Sequence, residues 1–269
     1  MSEHLCDIGL NLTSKQFAHD RDVVVERAFA AGVRHMMVTG LTAALSQEAL
    51  ALVRGRPGVL RSTAGVHPHN AKTYDRHTSD ELRALARNPE VAAVGECGLD
   101  YDRDFSPRDQ QRRAFEAQLE LAVELGKPVF LHERKSHDDF VRILGNVSSR
   151  LAGGVVHCFT GTAAELERYL ELGLSVGITG FICDERRGTH LREVVKRVPE
   201  GRLLVETDAP FLLPRDLPGA TGKRNEPAFL PHVAAAVARA RGEPESELWR
   251  HTSLTAARLF GLGAETPPG

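Results

Sequence analysis

Eight short apolar runs recur along the chain, and segments with the periodicity of amphipathic helices separate most of them. Runs of this length, rich in Val, Ile and Leu, are typical of strands buried on both faces of a parallel sheet. The predicted strands span residues 5–12, 35–40, 60–66, 91–97, 128–133, 153–159, 175–180 and 203–208. Strands that alternate with helices through right-handed crossovers favour an α/β fold, a single (β/α)8 TIM barrel. An open doubly wound sheet is the alternative, but no glycine-rich phosphate loop follows the first predicted strand.

Capping residues delimit two of the predicted helices. Ser106 is the expected N-cap of the first, with Pro107 at the first helical position, and this helix is expected to stop at Gly126. Thr162 followed by Glu165 three residues later has the spacing of a capping box, which predicts that the second helix begins there.

The length of the chain agrees with one barrel. Its 269 residues compare with the roughly 250 residues typical of a (β/α)8 domain, and no linker, repeat or low-complexity stretch interrupts them. We therefore predict one domain over residues 1–269, with a frayed tail at about residues 263–269.

Composition indicates what kind of protein this is and in which cellular compartment it is expected. The chain is 42% hydrophobic and 26% charged, which is ordinary for a soluble globular protein, and no apolar stretch approaches the ~18 residues of a membrane span. The start MSEHLCDIG does not resemble a signal peptide, and the four cysteines include no CxxC pair. We expect a cytoplasmic protein with free thiols, no membrane partner and a monomeric state. Its net charge of −2 excludes nucleic-acid binding over the whole surface, so phosphate contacts require a local patch.

Four of the apolar runs end on a side chain that can bind a metal ion: Glu96, His132, His157 and Asp208. The carboxyl ends of parallel strands share one face of a barrel, so these four residues are expected to converge there. Imidazole with carboxylate suits Zn²⁺, Mn²⁺ or Fe²⁺, and carboxylate with water suits Mg²⁺. The pattern predicts a metallohydrolase, in which Asp208 either binds the metal or takes the proton from the attacking water.

Further candidate residues lie after the same predicted strands. His67 is interpreted as a group that orients substrate or transfers a proton, with a structural role in the turn at Pro68 as the alternative. A set of arginines favours a phosphoester over a carbonyl substrate, because the guanidinium fork matches phosphate oxygens. These candidate phosphate ligands are Arg134, Arg186, Arg187, Arg215 and Arg224. Aromatic content is only 6%, and the phenylalanines on candidate loops that can stack on bases are Phe105, Phe159, Phe181 and Phe211.

Long motifs in the chain closely resemble the TatD-type metal-dependent deoxyribonucleases, from about residue 5 to residue 260. They are DIGLNLTS (7–14), STAGVHPH (62–69), VGECGLDYDRDFS (94–106), HCFTGT (157–162), GITGF (177–181), CDERRG (183–188), ETDAPFLLPRDL (206–217) and KRNEP (223–227). The resemblance implies a TIM barrel, a divalent metal, and 3′–5′ exonuclease action on single-stranded DNA and RNA in the cytoplasm. It also implies a link to repair of oxidatively damaged DNA.

Carried over by position, the resemblance makes Glu96, His132 and His157 metal ligands and gives Asp208 the place of a ligand or general base. Many members of the wider hydrolase superfamily begin with D-x-H-x-H, whereas this chain has Gly9 and Asn11 at the two histidine positions. Because the site has two imidazoles fewer, we expect it to bind Mg²⁺, although Mn²⁺ or Zn²⁺ also suit the remaining ligands.

Two other functions are compatible with the same residues. One is a metal-dependent amidohydrolase or an ester hydrolase that acts on aminoacyl-tRNA. The other is a non-catalytic nucleic-acid-binding barrel in which the metal is structural. The strand-end carboxylates, imidazoles and basic loops favour catalysis on nucleic acid over both alternatives.

Overall fold

The computed structural model describes residues 4–219 and 222–263, and its centre is one sheet of eight parallel strands in the order β1 to β8. A parallel bridge between Leu10 and Ala209 joins the first strand to the segment after the last, which closes the sheet into a barrel. The strands are β1 (Leu5–Leu10), β2 (Val33–Val38), β3 (Leu60–Ala64), β4 (Val91–Asp100), β5 (Val129–Arg134), β6 (Gly154–Val156), β7 (Ser175–Ile178) and β8 (Leu203–Val205). The predicted (β/α)8 fold is confirmed, and each predicted strand overlaps an observed one.

Helices follow the strands in the expected alternation and pack on the outside of the barrel. They are α1 (Arg21–Ala30), α2 (Ala43–Arg54), α3 (Arg76–Ala86), α4 (Arg108–Leu125), α5 (His137–Gly145), α6 (Ala163–Glu171), α7 (Leu191–Val194), α8 (Leu230–Arg241) and α9 (Glu245–Phe260). Short 3₁₀ turns connect several of them, including Pro68–Thr73 after β3 and Gly180–Cys183 after β7.

The apolar residues form two clusters that reflect the two sides of the strands. The larger cluster lies between the strands and the surrounding helices. The smaller cluster joins strand residues such as Ile8 and Phe130 with Phe260 of α9. The Phe130 ring lies 6.4 Å from the Phe260 ring on one side and stacks at 4.7 Å on His157 on the other. Apolar packing thus continues from α9 through the barrel to one of the predicted metal ligands.

The structure confirms one predicted helix start and corrects the other. Thr162 and Glu165 form the predicted capping box of α6, whereas α4 begins at Arg108 with Pro107, not Ser106, at the N-cap. The Ser106 hydroxyl is buried and does not cap the helix. It donates to the His69 carbonyl and accepts from the Lys72 amide, both in the 3₁₀ turn Pro68–Thr73 after β3. Ser106 therefore makes tertiary hydrogen bonds instead of the helix cap that the local sequence predicts.

Two other expectations concern the thiols and the ends of the chain. All four cysteines are free, as predicted. In the part of the chain that the structure describes, no helix is long and apolar enough to cross a membrane. The predicted frayed tail lies, apart from Gly263, outside the described residues.

Candidate metal centre

Strand β4 carries Glu96 into the mouth of the barrel and continues beyond it to Asp100, past the predicted end at residue 97. The continuation is possible because β4 and β5 stay paired, with Gly98 opposite His132 and Asp100 opposite Arg134. A Cβ atom at Gly98 would lie 1.9 Å from the His132 carbonyl oxygen, and its φ of 144° also favours glycine. The close approach of these two strands brings the Glu96 carboxylate and the His132 ring to the same point.

Three imidazoles meet one carboxylate oxygen at this point. Glu96 Oε1 lies 2.8 Å from His157 Nε2, 3.0 Å from His132 Nδ1 and 3.2 Å from His67 Nε2. One ligand atom from each of His67, Glu96 and His132 falls within 4.8 Å of the others, which is close enough for a shared metal ion. Two imidazoles with a carboxylate, and a third imidazole beside them, make a donor set that fits a divalent cation. His67, which the sequence suggested as a catalytic group, thus lies among the candidate ligands.

The charges within this cluster are strongly coupled. Burial alone would raise the pKa of Glu96, but the imidazoles of His157 and His67 outweigh burial and hold that pKa well below its usual range. Burial opposes protonation of His157, yet the carboxylates of Glu96 and Glu206 raise its pKa well above the ordinary value. Burial lowers the pKa of His67 to about 4, so its ring is neutral at pH 7. A neutral imidazole is the form that binds a metal.

Asp100 is a buried carboxylate that the sequence analysis missed. One of its oxygens, Oδ2, lies 2.7 Å from His69 Nε2 and 3.3 Å from His132 Nε2, and the other accepts backbone N–H bonds from Asp102 and Arg103. By contacting Nε2 of His132, it leaves Nδ1 of the same ring directed at Glu96. Asp100 lies outside the apolar run on β4, so only the continued strand pairing could have identified it.

Glu206 is a second missed carboxylate, and it lies behind His157. Its side chain is fully buried: Oε1 accepts the Cys158 N–H, and Oε2 lies 3.5 Å from His157 Nδ1. A Cβ atom at Gly9 would lie only 2.3 Å from Glu206 Oε2, and one at Gly177 only 2.5 Å from Oε1. The Glu206 carboxylate therefore fills the space that a side chain at position 9 would need.

Asp208 lines the same cavity as the imidazole cluster. Its Oδ1 accepts a 2.9 Å hydrogen bond from Asn11 Nδ2, and its backbone N–H donates to the Gly9 carbonyl at 2.8 Å. Burial raises the pKa of Asp208 to about 7, against the opposing charge of His157. Asn11, at the second altered histidine position, thus holds the carboxylate in place. Asp208 is outside the tight group of ligand atoms formed by His67, Glu96 and His132.

A cavity of about 450 Å³ opens above the cluster, and only some of the predicted phosphate ligands reach it. Arg134 and Arg187 line this cavity together with Arg103, which the sequence analysis did not single out. Arg134 pairs with Asp102 at 3.0 Å, and the Arg187 guanidinium lies 5.1 Å above the Phe181 ring. Among the described residues that line the cavity, these three are the arginines, and none is a lysine.

The other predicted phosphate ligands are not among the residues that line the cavity. Arg186 and Arg215 lie near the Asp184 carboxylate, at 3.6 and 3.8 Å. Arg224 is bound at 2.7 Å to Asp20 and at 2.6 Å to Glu226, with its guanidinium over the Phe17 ring. These contacts give Arg224 a role in joining chain segments, which its position in the sequence did not reveal.

Comparison with known proteins adds a consistent pattern of similarity. The profile of the family described as TatD related DNase matches residues 6–261. The 3′–5′ ssDNA/RNA exonuclease TatD of Erwinia billingiae is 54% identical over 259 residues, which cover 96% of this chain and 99% of that protein.

Solved structures give the same pattern at lower identity. The crystal structure of YJJV, a TatD homologue from Escherichia coli K12, superposes with a TM-score of 0.87 at 31% identity and covers 96% of this chain and 98% of that one. An uncharacterised amidohydrolase from Saccharomyces cerevisiae superposes with a TM-score of 0.84 at 26% identity, over 96% of this chain and 99% of that one. These proteins share the fold over almost the full chain.

Proposed function

This chain belongs to the family of TatD related DNases, and we propose from that premise that it is a divalent-metal-dependent 3′–5′ exonuclease acting on single-stranded DNA and RNA. The observation that carries the proposal is the convergence of three imidazole nitrogens on Glu96 Oε1 at the floor of a cavity with a basic rim. Anionic substrate and cationic cofactor would meet at this point.

We assign Glu96, His132, His157 and His67 as the residues that hold the divalent ion. We favour Mg²⁺, while the nitrogen donors also suit Mn²⁺ or Zn²⁺. When bound, such an ion lowers the pKa of water and withdraws charge from a phosphoryl oxygen. The assignment of His67 revises the substrate-orienting role that the sequence suggested. Its Nε2 is 3.2 Å from Glu96 Oε1, and its lowered pKa makes it a poor proton carrier at pH 7.

Asp208 is the proposed general base. A carboxylate with a pKa of about 7 both ionises near neutral pH and accepts a proton more readily than an ordinary aspartate. The bond from Asn11 fixes Oδ1 and leaves Oδ2 as the oxygen that faces the reaction. Asp100 and Glu206 act through His132 and His157, since each carboxylate contacts the ring nitrogen on the far side from Glu96.

Arg103, Arg134 and Arg187 are proposed to contact the phosphates of the substrate. Because they line only one cavity, they provide the local basic patch that a chain of net charge −2 requires for nucleic-acid binding. We extend the proposal to a preference for single strands, to a contribution to DNA repair, and to action as a cytoplasmic monomer with its four thiols reduced.

An amide or aminoacyl ester substrate is the second candidate, favoured by the likeness to the yeast amidohydrolase. The discriminating experiment incubates the purified protein with 3′- or 5′-labelled single-stranded DNA in Mg²⁺, Mn²⁺, Zn²⁺ or EDTA. Parallel reactions contain aminoacyl-tRNA and a simple amide. The variants are His157→Ala and Asp208→Ala, with Leu254→Ala on the exposed side of α9 as the matched control.

We expect single-nucleotide products released from the 3′ end, dependent on metal and lost in both site variants but not in Leu254→Ala. Intact DNA under every metal condition, with hydrolysis of the ester or amide, would replace the nuclease by the second candidate. Binding of DNA with no hydrolysis of any substrate would leave a non-catalytic nucleic-acid-binding barrel.

A further inference from the structure

Two phenylalanines expose their rings at the mouth of the barrel. Among the described residues, four large apolar side chains are strongly exposed, and the aromatic ones are Phe105 at 57% and Phe211 at 51%. The other two, Val23 and Leu254, lie on outer helices α1 and α9. Exposing an aromatic ring forgoes the free energy of burying it, so two such rings beside one cavity point to a ligand that covers them.

The barrel topology places the two rings on opposite sides of the metal centre. Phe105 follows β4 and Phe211 follows β8, both at the carboxyl ends of their strands. In a closed sheet of order β1 to β8, strands β4 and β8 are four positions apart and face each other across the barrel. Glu96 and its imidazoles line the same cavity as Phe211, whereas Phe105 reaches that cavity through its contact with His69, which lines it.

Local contacts hold Phe105 in position. Its ring packs against the His69 ring with centroids 4.7 Å apart and planes at 66°. The next residue, Ser106, is buried and bonded to the His69 carbonyl and the Lys72 amide. The Lys72 ammonium also donates to the Phe105 carbonyl at 3.3 Å. The ring is therefore presented from an anchored loop while more than half of its surface stays exposed.

Phe211 is anchored next to the proposed general base. Its backbone N–H donates to the Asp208 carbonyl at 2.9 Å, and its side chain lines the cavity. Of the other two phenylalanines that the sequence suggested for stacking, Phe159 is buried, and Phe181 is half-buried with the Arg187 guanidinium over its ring. Among the four, Phe105 and Phe211 expose the largest fraction of their side chains.

We propose that Phe211 stacks on the base of the 3′-terminal nucleotide and Phe105 on the base of the nucleotide before it. This inference rests on the proposed exonuclease function. In hydrolysis from the 3′ end, the water oxygen bonds to phosphorus, the bond to the 3′ oxygen of the penultimate nucleotide breaks, and that oxygen takes a proton from solvent. In-line attack puts the water opposite this leaving oxygen. The base that receives the water's proton, Asp208, then lies on the side away from the penultimate nucleotide, as does Phe211, which leaves the terminal base as the one within reach of Phe211.

Stacking on two rings accounts for the substrate class. Every base has a π-face, so stacking tolerates any sequence and does not distinguish deoxyribose from ribose. A paired base is already stacked in a duplex and cannot enter between side chains without being unpaired. Recognition of two unpaired terminal bases therefore favours single-stranded DNA and RNA over duplexes.

The test couples each ring to the base it is proposed to contact. Single-turnover rates and apparent KM are measured for wild type, Phe211→Ala and Phe105→Ala on DNA with ordinary bases, with an abasic 3′-terminal nucleotide, or with an abasic penultimate nucleotide. Phe211→Trp and Phe105→Tyr are the conservative variants, and Leu254→Ala is the exposed apolar control. We expect each Ala variant to lose about tenfold in kcat/KM on ordinary DNA, mainly through KM, because stacking on an aromatic residue stabilises each base to about this extent.

The coupling pattern decides the inference. Removing the terminal base is expected to cost wild type about tenfold but Phe211→Ala almost nothing further, and the penultimate base is expected to couple to Phe105 in the same way. The conservative variants retain activity. Additive losses in every combination, or coupling of the rings to the opposite bases, would overturn the proposal.

A binding measurement separates this inference from the proposed function. DNA that carries 2-aminopurine at its 3′ end is titrated with protein in EDTA, where no hydrolysis occurs. Stacking on Phe211 predicts quenching with wild type and Phe105→Ala, and its loss with Phe211→Ala. Metal-dependent hydrolysis without this quenching would retain the exonuclease and remove the stacking site. Quenching without hydrolysis would retain the stacking site and remove the exonuclease.

Discussion

At the residue scale, the absence of a side chain at Gly9 determines where the Glu206 carboxylate can lie. The Glu206 carboxylate needs the space above Gly9, because a Cβ atom there would lie 2.3 Å from Oε2. In this position, Oε2 of the same carboxylate lies 3.5 Å from His157 Nδ1. Gly9 thus makes room for a carboxylate that lies against His157, one of the proposed metal ligands.

This packing makes Gly9→Ala disruptive although it adds one methyl group. We expect a loss of about 1–3 kcal/mol in the free energy of unfolding, since overpacking a buried site forces its neighbours to move. Denaturant unfolding measures it. Gly145→Ala, whose Cβ would meet nothing within 4 Å, is the matched control. A Gly9→Ala, Glu206→Ala double variant should recover part of the loss, and wild-type stability in Gly9→Ala alone would refute the close approach.

Asp7 provides a second prediction at this scale, through pH. Burial raises its pKa to about 7, although bonds from Thr207 and from the Gly9 amide oppose the shift. The folded state therefore retains a proton that the unfolded state loses above its ordinary pKa of about 4. Between about pH 4 and pH 7, Asp7 makes the free energy of unfolding fall as pH rises.

Asp7→Asn removes this titration while keeping an amide that can accept and donate in the same place. We expect its stability to decline less than that of wild type between pH 5 and pH 7.5, by about 2–3 kcal/mol, in denaturant unfolding at each pH. Equal pH dependence in the two proteins would show that Asp7 is ionised in the fold at all these values.

At the scale of elements, the sequence predicted which strands exist better than where they end. The eight apolar runs identify eight strands, because a strand buried on both faces must be apolar along its length. Strand β4 nevertheless runs to Asp100, since backbone pairing with β5 continues after the apolar residues stop. The four strand-end residues could be recognised from this pattern. Asp100 could not, because it lies beyond the apolar run of β4. Glu206 directly follows the apolar run of β8, but only the fold shows that its carboxylate lies 3.5 Å from Nδ1 of His157, a proposed ligand.

Ser106 and Thr162, both predicted as helix caps, allow a tertiary hydrogen-bonding role to be compared with a true capping role. Ser106→Ala is expected to destabilise the protein by about 1–3 kcal/mol, because the part-buried His69 carbonyl and Lys72 amide lose their partner. Thr162→Ala, at a real cap, is expected to cost about 0.5–2 kcal/mol.

Hydrogen exchange distinguishes the two variants. Ser106→Ala should speed exchange at the Lys72 amide, and Thr162→Ala should speed exchange at the Glu165 amide, which Thr162 Oγ1 accepts. Faster exchange along the first turn of α4 in Ser106→Ala, with the Lys72 amide unchanged, would return Ser106 to the role of a helix cap.

At the scale of the whole molecule, a slightly acidic chain places three arginines around one cavity, where we propose that nucleic acid binds. The chain carries a net charge of −2, yet Arg103, Arg134 and Arg187 face one cavity. Composition could exclude a broadly basic surface, but it could not say which arginines reach the site. Arg224 illustrates this limit of composition. It pairs with Glu226, two residues away, and with Asp20, which is distant in sequence and is brought to it only by the fold.

A local patch of three cations predicts a moderate salt dependence. The logarithm of the DNA affinity should fall with the logarithm of salt concentration with a slope of about −2, from about 0.7 counterions released per phosphate contact on a single strand. Arg187→Ala should make the slope shallower by about 0.7. Arg150→Ala, at the amino-terminal end of β6, should leave it unchanged. Fluorescence anisotropy in EDTA measures both, and equal slopes in wild type and Arg187→Ala would exclude a phosphate contact from that residue.

The central claim is that Glu96 and the imidazoles around it hold one divalent-metal site. Calorimetric titration of metal-free protein with Mn²⁺, for wild type, Glu96→Gln, His132→Ala and the exposed control His77→Ala, tests it most directly. The account predicts saturable binding in wild type and His77→Ala, and a loss of at least about tenfold to a hundredfold in affinity in the other two, as expected for removing a ligand or its support. Mn²⁺ affinity that is equal in wild type and Glu96→Gln would contradict it.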